Sequence, residues 1–521
     1  MLSTILTFLA LFSGTLFADS TVYQMAVGSY TASGNPGVEI FEVDPVTGSS
    51  KRLYALDNPN GSYLATTKDR SLLYAVTEAG GGKSKLSAYR LGKSGRYEKL
   101  NEESTIGDGP CFVTIRESSQ TVYAANYSSG SLSVFKTNNG SLQPIAQHIK
   151  YQGSSVNKAR QDKPHAHMAQ LSPDQKYLYV TDLGTDKIYQ HLIKSDGTVE
   201  ENFKTIPVTP GKGPRHMVFN AAGSKAYLIT EMKGVVDVFN VADGNFNLVQ
   251  SVVADTTSSS KDRGSADIHL SPNGKWLISS NRVTNNDLTI FAVQKDGTIK
   301  KTGHQPVARK PRNFSFTPNG KFVFVASQDD HKIQVFAFDD QTGKLTDTKK
   351  DITVPMPVCI DFRAMPKQDV DPEERLKSLN IKLIKPSSPI ANYVKIVESG
   401  KLLFLSGHGP DKPEGGLITG KVGVDLTLEQ GKEAARTTAI SLLSTLKAYV
   451  GDLNKVKRVV KIMGLVNCDP SFTQQPMVMN GCSDLMVDVF GDNGKHVRTS
   501  VGTNALPNNI AIEIEMIVEL K

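Results

Sequence analysis

At 521 residues the chain exceeds what one ordinary core organises, so two or more domains are expected. Apolar residues make up 39%, and 43 Gly with 25 Pro suit a turn-rich globular protein rather than a disordered or coiled one. The formal charge of +7 is small for this length and comes without a Lys/Arg run, which argues against nucleic acid as a partner.

The first element is an apolar run over residues 1–20, interrupted by Thr, Ser and Gly and ending at Ala18-Asp19-Ser20. It reads as a signal peptide, too short and too abruptly ended for a membrane span, with Ala18 or Ser20 before the cleavage point. The mature protein is therefore expected to be exported, periplasmic or secreted, with no membrane span. Only four cysteines occur, Cys111, Cys359, Cys468 and Cys482, and none forms a C-x-x-C pair. Isolated core thiols are expected, not a disulfide scaffold or zinc knuckle.

Residues 21–362 repeat one pattern seven times. Copies such as Leu73-Tyr74-Ala75-Val76-Thr77, Leu178-Tyr179-Val180-Thr181-Asp182 and Phe322-Val323-Phe324-Val325-Ala326-Ser327 recur at roughly 50 residues, the spacing of four-stranded propeller blades. Each is followed by an alternating strand, as at Val236-Asp237-Val238-Phe239, and then by a turn such as Asp243-Gly244. Ser271-Pro272-Asn273-Gly274 marks the tight turn before the repeated strand. The chain enters on the second strand of a blade, at 24–28, and the repeat ends on a lone first strand, at 357–362. A seven-bladed propeller closed by its own C-terminal strand is predicted, which removes exposed sheet edges.

In a propeller the first strand of each blade lines the central channel, and a pocket at one mouth collects a residue or two from each. Those starts read Pro164-His165-Ala166-His167, Pro214-Arg215-His216, Ala266-Asp267-Ile268-His269 and Pro311-Arg312-Asn313. Charged groups converging on a channel are costly to desolvate unless paired or used. Arg215, His167, Glu231 and Arg282 are the expected functional residues. His165 and Asp267 are further candidates, Arg312 is read as structural, and which of His165 and His167 faces the channel stays open.

Pro164-His165-Ala166-His167, Asp182-Leu183-Gly184, Gly213-Pro214-Arg215-His216-Met217-Val218-Phe219, Thr230-Glu231 and Ser280-Asn281-Arg282 resemble the motifs of the lactonase-type propeller family. That family includes bacterial 6-phosphogluconolactonases and carboxymuconate lactonizing enzymes. The resemblance implies hydrolysis of a small-molecule lactone at the channel mouth, with a sugar-acid lactone as substrate, its phosphate not required. Arg215 and Arg282 would bind the carboxylate or phosphate and the oxyanion. His167 with Glu231 would activate water or move the proton, and no metal or other cofactor is implied. From their place at the strand starts, His165 is a further catalytic candidate and Asp267 a substrate-binding one. A noncatalytic binding propeller is the alternative, which the repeat alone equally predicts.

The charged stretch 363–377 reads as a linker, and 378–521 switch to an α+β pattern. Strands are predicted at 393–397, 402–406, 456–466, 498–503 and 511–520, and helices over 428–450 and from about 476 to 491. Thr427 with Gln430 forms a capping box, and Gly451 ends the first helix. Phe404-Leu405-Ser406-Gly407, Gly464-Leu465-Val466-Asn467 and Arg498 followed by Leu506-Pro507 and Glu513-Ile514-Glu515 resemble the RidA/YjgF family. That resemblance implies a homotrimer with a pocket between subunits. Arg498 would hold a substrate carboxylate, Glu513 would position water, and Tyr393 would line the pocket of a 2-imino acid deaminase. Ser500 stands where active members usually carry Cys, and a ligand-binding or trimerising module without catalysis is weighed equally.

Overall fold

Each of the seven repeats folds into one antiparallel sheet, because its alternating strands bury apolar side chains against both neighbouring blades. The computed structural model describes residues 22–521 except 33, 93, 260–262, 366–369 and 390, so the N-terminal run read as an export signal lies outside the described residues. Blade 4, for example, runs Ala166–Leu171, Tyr177–Asp182, Lys187–Leu192, Lys204–Pro207 from inside out. In blades 3 and 7 the outermost strand is split in two, as Ser141–Leu142 with Gln147–Lys150 and as Leu345–Asp347 with Ile352–Thr353.

The ring closes as the sequence predicts. Pro357–Met365 supplies the inner strand of blade 1 and pairs antiparallel with Val22–Ser29. Every inner strand also packs on the next, including Pro357–Met365 on Leu64–Thr66. The tight turn before the second strand is held by Gly274 N donating to Ser271 O at 2.8 Å, with Gly274 at φ +69°, a conformation glycine adopts without strain.

The chain divides into two compact units, Met1–Lys367 and Gln368–Lys521. The stretch read as a linker is corrected in part. Pro372–Ser378 is a helix, α1, capped by Asp371, and Leu376 packs in the core of the second unit. Its charges mislead by composition alone: Glu373 and Glu374 sit in the first turn and Lys377 in the last, the arrangement that suits the helix dipole.

The second unit places α2 (Leu428–Val450) and α3 (Gln475–Phe490) against a five-stranded sheet. The sheet order is Ile396–Ser399, Leu402–His408, Ile512–Leu520, Val456–Asn467 and Val497–Thr503, the last pair parallel. The capping box of α2 is present in both directions: Gln430 N donates to Thr427 Oγ1 at 3.2 Å, and Thr427 N donates to Gln430 Oε1 at 2.8 Å. Such a cap stabilises a helix by about 1 kcal/mol.

Candidate active site

The candidate residues of the propeller are brought together by a backbone device repeated around the ring. Inner strands carry an extra, unpaired residue near their first position, a β-bulge that re-aims its side chain. Register shifts flank Cys111, His167, Arg215, Arg312 and Val358, and a wider one spans Ala266 and Asp267. In four of these strands a Pro stands immediately before the bulged residue, at Pro110, Pro214, Pro311 and Pro357. The ring at that position has no N–H to give the ladder, which suits a strand's first residue.

Backbone groups at the bulges find partners across blade boundaries. Thr181 Oγ1 donates to Arg215 O at 2.5 Å, Arg215 Nη1 to Ala266 O at 2.5 Å, and Ile360 N to Asn313 Oδ1 at 2.8 Å. The five bulged residues Cys111, His167, Arg215, Arg312 and Val358 thereby line one small cavity with Ser62, Tyr63, Glu78, His216 and Asn313. Its free volume is about 10 Å³, the space of a single water.

Arg215 is buried at 2% exposure, and its Nε donates to Glu231 Oε2 at 3.1 Å. Arg282 Nη2 donates to the same oxygen at 2.8 Å, and Arg160 Nη2 to Oε1 at 2.7 Å. Burial works against the Glu231 carboxylate, but Arg282, Arg215 and Arg160 outweigh it and hold its pKa down at about 2. Glu231 therefore fixes three guanidiniums, and its pairing with His167 expected from the sequence gives way to these ion pairs. Burial pushes Arg282 down to about 9, with Arg215 and Arg312 adding to the effect against Glu231, and its Nε is buried with no hydrogen-bond partner among the described residues.

His167 lines the cavity and His165 does not. Burial first, then Arg215, His216, Arg312 and Arg282, push His167 well below the ordinary histidine value and keep it neutral. His165 stacks on Tyr127 with centroids 4.5 Å apart, its Nδ1 lies 3.0 Å from Tyr127 O, and its N–H donates to Asp182 Oδ1 at 2.7 Å.

Asp267, expected to bind substrate, is already saturated. It accepts from His216 Nδ1 at 2.7 Å, His269 Nε2 at 2.9 Å, Asn313 Nδ2 at 2.5 Å and Ile268 N at 2.9 Å. It acts as the buried acceptor that fixes His216 with its proton on Nδ1, leaving Nε2 toward Arg215 Nη1 at 3.3 Å. Burial, then Arg215, lower the pKa of His216 to about 4 against the pull of Asp267, so its ring is neutral. No group of three or more His, Cys, Asp or Glu side chains among the described residues is placed to hold a metal ion.

Three cavity residues escaped the sequence reading as functional: His216, Arg312 and Glu78. A signal existed for two of them. Pro311-Arg312 repeats the Pro-Arg start of Pro214-Arg215, and Thr77-Glu78 repeats Thr230-Glu231 at the end of a second strand. Outside the cavity, Arg160, Lys233, Arg263 and Glu231 border a second cleft of about 240 Å³, linked to the cavity through the Glu231–Arg215 ion pair.

In the second unit the expected residues do not meet. Arg498 donates through Nη1 to Asn480 Oδ1 and Ser483 Oγ of α3, each at 3.0 Å, so it faces the helical side. Glu513 alternates with the buried Ile512 and Ile514 and so faces the opposite side. Burial, then Glu515, raise its pKa. Tyr393 is exposed, ahead of the first strand. Ser500 shares the face of Arg498, and its Oγ is buried without a partner among the described residues.

The fold and the cavity define a seven-bladed β-propeller with a cationic site at one end of the ring. The family model described as a seven-bladed β-propeller lactonase matches residues 24–362, and one described as YjgF/chorismate-mutase-like matches residues 373–520. The chain belongs to the seven-bladed lactonase family and carries a YjgF/chorismate-mutase-like domain after the propeller. The 6-phosphogluconolactonase of Formosa agariphila is 33% identical over 63% of this chain and 96% of its own. That of Bacillus subtilis is 33% identical over 66% and 99%. The solved structure of the Pseudomonas aeruginosa periplasmic gluconolactonase PpgL is 31% identical, covers 66% of this chain and all (100%) of its own, and superposes with a TM-score of 0.62.

Proposed function

We propose that the propeller hydrolyses the lactone of a sugar acid, phosphorylated or not, at the cavity formed by the bulged residues. The observation that carries this reading is the convergence of the buried Arg215, the half-buried Arg312 and two neutral histidines on one small cavity. Arg215 and Arg312 offer forked donors to a carbonyl oxygen that becomes an oxyanion, in a site dry enough to strengthen the interaction. Glu231, itself held by Arg282, keeps Arg215 in place, His167 and His216 orient water as neutral imidazoles, and His165 backs them by holding Tyr127. Arg160, Lys233 and Arg263 of the second cleft suit the acid or phosphate end of the substrate.

Secretion is part of this reading. It is supported by the apolar run at residues 1–20 and by the relative named as a periplasmic gluconolactonase. Among the described residues no helix is long and apolar enough to cross a membrane. The test is a panel of sugar-acid lactones, with and without phosphate, hydrolysed by the parent and by Arg215→Ala. Loss of at least about 100-fold in kcat/KM is expected, the scale of removing an oxyanion donor. Equal turnover by both proteins would show that the site lies elsewhere, and a parent inactive on the whole panel would leave a binding propeller instead.

For the second domain we propose a trimerising module with a carboxylate pocket completed between copies. Arg498 and Glu513 lie on opposite faces of one sheet, so a site that uses both draws them from two chains. The face of Glu513 carries exposed Phe404, Val497 and Val501 and a groove of about 330 Å³. An imine-hydrolysis assay separates deamination from carboxylate binding alone.

A further inference from the structure

Glu78 and Glu231 occupy equivalent positions, each the first residue after a second strand and each preceded by Thr. Their surroundings differ in kind. Glu231 is tied to three guanidiniums through both oxygens. Among the described residues Glu78 accepts only from hydroxyls: Tyr30 Oη at 2.9 Å and Ser62 Oγ, both on Oε2. No hydrogen bond to Oε1 is found among the described residues, and Glu78 lines the same cavity as His167, Arg215, His216 and Arg312.

We propose that Glu78 is the proton acceptor of the lactonase reaction, an inference that rests on the reading of the propeller given above. Water in the cavity loses a proton to Glu78 as its oxygen attacks the lactone carbonyl carbon. The C=O electron pair moves to the oxygen faced by Arg215 and Arg312. When that pair returns, the ring C–O bond breaks, and the leaving oxygen takes the proton back from Glu78, so lactone plus water gives the hydroxy acid and the carboxylate is restored.

The burial of the neighbouring histidines decides against them. A carboxylate that takes a proton becomes neutral, whereas His167 or His216, both buried, becomes a buried cation, the form that desolvation disfavours. The charged and titratable groups around Glu78 are Tyr30, Tyr63, Arg215, Arg312 and Cys111 besides those two histidines. Burial keeps the Tyr30 hydroxyl and the Cys111 thiol protonated, so Tyr30 acts only as a donor, and Arg312 lies over its ring at 5.5 Å.

The experiment uses the full chain and the lactone that the parent hydrolyses best. Glu78→Gln keeps shape and hydrogen bonding but cannot take the proton, and kcat is expected to fall by about 100-fold or more with KM little changed. Glu78→Ala should regain part of its kcat when formate is added, a recovery that only a folded site can show. Glu78→Gln with kcat within threefold of an active parent overturns the inference and leaves the lactonase reading standing. Should Glu78→Gln not fold, absence of formate rescue in folded Glu78→Ala overturns it equally. A parent inactive on every lactone overturns the reading itself, and the inference with it.

Discussion

Arg215 Nε donates to Glu231 Oε2 across 3.1 Å, with both side chains buried, and the same carboxylate holds Arg282 and Arg160. Removing the carboxylate charge leaves buried guanidiniums unpaired. Glu231→Gln is expected to lower stability by about 3 kcal/mol, measured by chemical denaturation, and to raise KM more than it lowers kcat. Because the folded pKa lies near 2, below the ordinary glutamate value, this stabilisation is complete at neutral pH. It is lost as the pH falls from about 4.5 toward 2, a loss the variant should not show.

Burial, then Arg215, hold His216 below the ordinary histidine value. Its folded pKa of about 4 lies below the ordinary value of 6.5, so between these values the unfolded chain binds a proton that the folded one does not. Stability therefore falls as the pH drops from 6.5 to 4. His216→Gln should give a shallower dependence in denaturation curves across that window, and a parent-like slope contradicts the assignment.

Asp267 is a positioning group. Asp267→Asn replaces an acceptor by an amide that can donate to His216 Nδ1 and so favours the other ring tautomer. A loss of about tenfold or more in kcat is expected, with KM little changed and lactone specificity retained. A merely structural role would lower the melting temperature and leave kcat per folded molecule intact.

The open sheet face of the second domain carries Phe404 at 41% exposure. Phe404→Lys is expected to convert the assembled protein to monomer in sedimentation, while lactone hydrolysis by the propeller is unchanged. A monomeric parent would contradict trimerisation.

Arg498 anchors the proposed carboxylate pocket, beside the unpartnered Ser500 hydroxyl. Arg498→Ala should lose saturable binding of a small 2-oxo or 2-amino acid by calorimetry, by about tenfold or more, without change in oligomeric state.

Much of the fold was legible because its signals are local. The period of the repeat, the entry on a second strand and the lone last strand together required a closed ring, and Val22–Ser29 pairs with Pro357–Met365 accordingly. The α2 helix matches its predicted bounds, since its capping box and Gly451 are both within a turn of its ends. The helix Pro372–Ser378 was missed because charged residues serve a helix terminus and a solvated linker equally well.

The site was legible as a cluster but not in its roles. Strict alternation along the inner strands cannot tell His165 from His167, because the bulge between Ala166 and Met168 adds a residue and changes which side chain faces inward. The same device brings Arg312 into the cavity, although as an isolated arginine it reads as structural.

The sequence by itself determined the seven repeats, the closure of the ring, the change of pattern after the propeller and the residue types gathered at the inner strands. These are set by short-range periodicity and by turn and cap chemistry, which act within a few residues. Only the tertiary structure decided that Glu231 is held by three arginines while its counterpart Glu78 meets hydroxyls, that Asp267 serves His216, and that Arg498 and Glu513 face opposite ways. Partners that lie about 50 residues or more apart, as Asp267 and His216 do, are set by how adjacent blades register. That register follows from the bulges and the packing of the whole ring.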